Sequence, residues 1–141
     1  MLKKTIKYTD YEGVEREEDF YFNLSRAEII EMEYSIKGGL TKRLEELSKT
    51  KEPSEILPIF KEMIAKSYGK KSPDGKRFIK SDDFTAEFFQ SEAYSELLVE
   101  LFSEPEKAAA FLQGITGAPK EAIEEAKARA NIQALPTASA K

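Results

Sequence analysis

Residues 4–24 alternate in a way that commits the N-terminus to strands. In "KTIKYTD", Ile6 and Tyr8 fall on one face, and in "VEREEDFYFNL" Phe20, Phe22 and Leu24 recur at every second position. Between them "YEG" is a turn, with Gly13 free to take a positive φ. The reading is a long, twisted β-hairpin over 4–24. A lone hairpin is marginal in water, so its apolar face has to be covered by helices or joined by a partner strand. This requirement sets the expected fold: α+β, mostly α, an N-terminal β-hairpin packed on a bundle of about five to six helices.

The rest of the chain supplies helix signals. "LSRAEIIEMEYSI" opens with Ser25 and places Glu28 three residues later, a capping box. Gly38 and Gly39 end or bend this helix. Leu40, Leu44 and Leu47 follow at helical spacing, and "KTKEP" reads as a charged loop. The next helix, starting after Ser54, carries a broad apolar face that includes Phe60, Met63, Ile64 and Tyr68. Gly69 is its expected terminator, and it is expected at the centre of the core. Ser81 caps "DDFTAEFFQ", whose aspartates suit a helix N-terminus. "SEAYSELLVELF" either starts anew at Ser91 or continues that helix, and "SEPEKAAAFLQG" starts at Ser103 and stops at Gly114.

From Ile115 onward the chain is alanine-rich. Pro119 suits a first helical turn, Ile123 alone marks a weak apolar stripe, and Pro136 stops it. The expected organisation is a single globular domain over 1–115, with the hairpin at 4–24 and a helical part at 25–115. A weakly packed Ala-rich helix and polar tail would then occupy 116–141.

Composition narrows function more than fold. The 141 residues include no cysteine and no histidine. Disulfides, thiolate zinc sites and a cysteine nucleophile are excluded. So are the usual neutral-pH base, a Ser-His-Asp triad and imidazole ligands. This shifts the expectation from enzyme towards a binding or assembly role, with no catalytic residue, cofactor or metal ligand. The formal net charge of −4 argues against a nucleic-acid partner. No apolar run reaches bilayer length, and "MLKKTIKYTD" lacks the apolar stretch of a secretory signal. A cytosolic location and no membrane partner are expected.

Four motifs invite a sharper reading. "GKKSPDGKRF", residues 69–78, is rich in glycine and cations. Its spacing fails the phosphate-binding loop, because Arg77 stands where Ser or Thr is needed. Pro73, Asp74 and Gly75 instead make an exposed turn, and "RFIK" can add a short strand after it. The acidic run at 15–19 lies on a predicted strand without the spacing of a calcium loop, so it reads as a solvated face. Phe84, Phe88 and Phe89, with Tyr94 beyond, form either a docking patch or core, and core is favoured. Lys3, Lys4 and Lys7 beside Tyr8 resemble a small nucleic-acid patch, much of whose field the acidic neighbouring strand would cancel.

"EDFYFNLSRAEIIEMEYSIKGGL", "IFKEMIAKSYGKKSPDGKRFIKSDDF" and "SEAYSELLVELF" together resemble the small tail assembly chaperones of long-tailed bacteriophages of Gram-positive hosts. The resemblance spans about residues 5–115 and carries no catalytic signature. It implies a non-enzymatic protein that binds the aggregation-prone tape measure protein before the tail tube polymerises around it. It also implies a location in the host cytoplasm and absence from the mature virion. Many members are also made in a longer, frameshifted form. Tail tube protein and self-association are further partners it suggests. Contact candidates on physical grounds are Phe84, Phe88, Phe89 and Tyr94, with Lys76, Arg77 and Phe78 of the loop. The alternatives are a structural head–tail or tail component retained in the virion, a carboxylate enzyme using a divalent ion, and a nucleic-acid-binding regulator.

Overall fold

The structure, a computed structural model, describes residues 1–49, 52–117, 121 and 123–129. In chain order the elements are β1 (Leu2–Thr9), β2 (Glu15–Phe22), α1 (Arg26–Ser35), α2 (Leu40–Lys49), α3 (Pro53–Ser67), β3 (Tyr68–Lys71), β4 (Phe78–Ile79), α4 (Asp82–Phe89), α5 (Glu92–Ser103) and α6 (Pro105–Thr116). Residues 121 and 123–129 are also helical, which makes seven helices among the described residues. The chain forms two compact units. One is Met1–Asn23 with Leu57–Gly117, and the other is Leu24–Ile56 with Ala118–Lys141.

The fold is α+β and mostly α, with two corrections to the expectation: the helices number seven rather than five to six, and the hairpin is half of a four-stranded antiparallel sheet ordered β1-β2-β3-β4. The short strand expected in "RFIK" is β4, whereas its partner β3 has no signal of its own because Tyr68 continues the apolar stripe of α3. Gly69 is not a helix terminator: it lies in β3 and has no positive φ.

In the first unit, β1 and β2 pair from Leu2↔Phe22 to Thr9↔Glu15. Asp10 locks their turn. Its Oδ1 accepts the N–H groups of Glu12 and Val14 at 2.9 Å each, its Oδ2 accepts Arg16 Nε at 2.6 Å, and Gly13 supplies φ +81°. These bonds, Arg16 foremost, hold the Asp10 carboxyl below the usual carboxylate range. Phe22, fully buried, meets Phe88 at 5.6 Å and Phe111 at 5.3 Å between ring centroids. Helices α5 and α6 pack on β1, and α4 packs on β3. Fully burying one such aromatic contributes about 1.5–3 kcal/mol. The aromatic centre therefore comes from β2, α4 and α6, whereas α3 contributes Phe60, Met63 and Ile64 to the buried set.

In the second unit, α1 and α2 pack together. The capping box is made: Glu28 N–H donates to Ser25 Oγ at 3.1 Å and Ser25 N–H to Glu28 Oε1 at 3.0 Å. Gly38 and Gly39, at φ +84° and +89°, separate the two helices, and Leu40 N–H donates to Glu33 Oε1 at 2.8 Å. Leu40, Leu47 and Ile123 are buried. Pro119, Pro136 and the tail after residue 129 lie outside the described residues, as do Thr50 and Lys51 of the charged loop.

Several helix ends differ from the sequence signals. α3 begins at Pro53 rather than after Ser54, and Pro58 stands inside the helix. Ser103 is the last residue of α5 and donates to the Glu100 carbonyl at 3.0 Å. The N-cap of α6 is Glu104, whose extended backbone (φ −139°, ψ 122°) makes the break. Helix α6 runs through Gly114 and ends at Gly117, φ +61°. The absent side chain of Gly114 admits Leu2 instead, whose Cδ1 would sit 3.1 Å from an added Cβ.

Candidate functional site

Strands β2 and β3 pair over two residues only, Tyr21↔Gly69 and Phe22↔Tyr68, after which Asn23 N–H donates to the Ser67 carbonyl at 2.8 Å. Beyond Gly69 they diverge. β3 turns into β4 through Lys70↔Ile79 and Lys71↔Phe78, while β2 continues along β1 back to Glu15. The gap opens a cleft of about 530 Å³ whose lining includes Phe20, Tyr68 and Phe88. These three rings form one cluster, with Phe20–Phe88 at 5.2 Å, Phe20–Tyr68 at 6.3 Å and Tyr68–Phe88 stacked at 4.8 Å.

Charges line the rim. Glu18 and Asp19 stand on the β2 side, Lys70 and Lys71 on the β3 side, and Glu87 reaches in from α4. Lys70 Nζ lies 3.9 Å from Glu87 and 4.3 Å above the Phe84 ring, and Lys71 Nζ lies 4.4 Å above Tyr21. The Tyr8 hydroxyl donates to Glu18. Burial, then this bond and the Glu18 charge, push the Tyr8 phenol up to about 12. Burial also raises Tyr68, with Glu87 and Glu18 adding to it. The result is an open cleft, apolar below and charged above, the general form of a docking surface. Among the described residues, no group of three or more His, Cys, Asp or Glu is placed to hold a metal ion.

The residues singled out from sequence fall in two places. Phe88 is 2% exposed and belongs to the core beneath the cleft. Phe89 and Tyr94 are half-buried, with rings 4.5 Å apart and each about 6 Å from Phe88. Phe84 is half-buried beneath Lys70. Lys76 and Arg77 are exposed on the β3–β4 turn, and Phe78 is half-buried in β4.

That turn satisfies its own polar groups. Ser72 Oγ donates to Asp74 Oδ1 at 2.6 Å, which also accepts Lys76 N–H at 3.0 Å, while Arg77 N–H donates to Ser72 Oγ at 3.0 Å. Amides that a phosphate loop would present are already bonded within it. Lysines of β1 are likewise engaged: Lys4 meets Glu100 at 2.5 Å and Lys7 meets Glu17 at 3.8 Å.

Sequence reading missed the cleft itself. Alternation groups Tyr8 with Ile6 and Phe20 with Phe22, but Tyr68 reads as part of a helix and Lys70 as part of a loop. No local pattern announces that two strands part after two paired residues.

The molecule is an α+β protein with an open cleft of mixed aromatic and charged lining. A family model described as phage tail assembly chaperone matches residues 1–140. The chain belongs to that family. No curated protein and no solved structure matches the chain. Among the described residues no helix is long and apolar enough to cross a membrane.

Proposed function

We propose that this protein binds the tape measure protein of its phage and keeps it soluble while the tail is assembled, without catalysing a reaction. The observation that carries this reading is the family match over residues 1–140. The absence of cysteine and histidine is in keeping with a role that needs no acid–base or thiol chemistry. An open cleft with an aromatic floor offers a place for client contact, and the half-buried Phe84, Phe89 and Tyr94, with Lys76, Arg77 and Phe78, are further candidate contacts. The work would take place in the host cytoplasm, and the protein would be missing from purified virions.

The test is co-expression with the long tape measure protein of the same phage. Soluble long protein that appears only with this chain, and co-purifies with it, supports the proposal. Unchanged solubility and no association overturn it.

A further inference from the structure

The divergence of β2 from β3 leaves a strand edge inside the cleft. The bond from Asn23 N–H to the Ser67 carbonyl directs the backbone groups of Asn23 towards β3. Backbone direction in an antiparallel strand alternates with period two. Tyr21 therefore also faces β3, where Gly69 meets it, and Asp19, Glu17 and Glu15 face the same side. β3 has already turned away there, and residues 15–20 have register partners on β1 alone. Their N–H and C=O groups on this side meet no strand among the described residues. Such an edge is a template for an added strand.

The outer edge of the sheet at β1 and the open stretch of β2 differ in charge. On the outer strand β1, Lys3, Lys4 and Lys7 stand along the edge, the usual guard against pairing. The open edge of β2 is acidic: Glu15, Glu17 and Asp19 share the outer face of the strand, while Glu18 and Phe20 share the inner face. A strand laid beside it would set alternate side chains opposite those outer-face carboxylates. Its intervening side chains would lie over Phe20, Tyr68 and Phe88.

We propose that residues 15–20 of β2 receive an extended segment of a protein partner by strand addition, the segment carrying Lys or Arg at alternate positions and apolar residues between. This deepens the chaperone reading by naming a docking place and the kind of client segment it fits, and it rests on that reading for the identity of the partner. Opposite charges directly across a strand pair favour association, and like charges oppose it. The cleft volume of about 530 Å³ lies in the range of roughly 300–1,000 Å³ typical of ligand clefts.

The experiment is titration of the full chain with a fluorescently labelled peptide of alternating lysine and valine. Three companions serve as controls: the same peptide N-methylated at alternate amides, the same peptide with glutamate for lysine, and the Glu15→Lys/Glu17→Lys variant of the protein. Both substituted residues are exposed, so the variant keeps its core, which circular dichroism checks. Saturable binding of the lysine–valine peptide is expected. The glutamate peptide should fail to bind. The protein variant should weaken binding by about tenfold or more, as reversed cross-strand charge pairs imply. N-methylation should abolish binding, because it removes main-chain donors without changing charge.

Equal binding of the N-methylated peptide overturns strand addition in favour of simple charge attraction. No binding by any peptide also overturns the proposal. So does self-association that the peptide cannot displace, which would make a second copy the occupant of the edge. If peptide binding fails while co-expression still solubilises the long partner, the cleft assignment falls and the chaperone reading stands. The reverse pair of results spares the cleft and removes the reading.

Discussion

Gly69 in β3 lies so close to β4 that a Cβ added to it would sit 2.7 Å from the Phe78 ring and 2.7 Å from the Ile79 carbonyl oxygen. The carbonyl is backbone and cannot rotate away. Gly69→Ala is therefore expected to force the second hairpin apart, at about 1–3 kcal/mol, the usual range for overpacking. Gly75, on the adjoining turn, is the contrast: it has open space but φ +74°. Gly75→Ala should cost about 1–2 kcal/mol through its left-handed backbone alone. Chemical denaturation of both variants, with a structure of each, checks that only the first moves Phe78.

Phe88 holds the floor of the cleft and the core together, touching Phe20, Phe22, Tyr68, Phe89 and Tyr94. Phe88→Ala is expected to destabilise the protein by about 3–5 kcal/mol. Phe102, 43% exposed, has Phe60 as its ring neighbour. Phe102→Ala should cost clearly less, and equal losses in the two variants would refute the placement of the core. Thermal unfolding is the measurement.

Ser25 and Ser81 each accept an N–H at their helix starts, from Glu28 and Phe84, both at 3.1 Å. Ser25→Ala and Ser81→Ala should each cost about 1 kcal/mol. Ser103, although placed like a cap in the sequence, donates to the carbonyl behind it. Ser103→Ala should stay within about 0.5 kcal/mol, as for most exposed positions. Parallel urea titrations separate the three.

The Tyr8 phenol is raised to about 12 from an ordinary value of 10.0, by burial first and by Glu18 next. A raised folded value means that the unfolded chain loses its proton first as pH rises. The contribution of Tyr8 to stability is thus fully present below about pH 10 and is lost as pH climbs through about 12. Tyr8→Phe should flatten that part of the pH–stability curve. Its phenolate absorbance titration should lack the late step near 12; a wild-type chain without such a step would contradict the Tyr8–Glu18 contact.

The alternation of Ile6 and Tyr8 with Phe20 and Phe22 was enough to determine the first hairpin, because period two admits no helix. Ser25 with Glu28 and Ser81 ahead of two aspartates determined two helix starts, because a cap is a contact between near neighbours in the chain. The likeness to tail assembly chaperones was also legible, and the family match over residues 1–140 bears it out. Tertiary structure decided what depends on distant residues. It made Tyr68 and Gly69 a strand, since β2 was there to pair with them and Phe78 needed the space that Gly69 leaves. Gly114 proved to be a packing position inside α6, where Leu2 fills the space of the missing side chain, and the positive φ that ends the helix falls at Gly117. The cleft arose because β3 follows β4 rather than β2 after two paired residues, an outcome of competing long-range pairings that no local window of sequence contains.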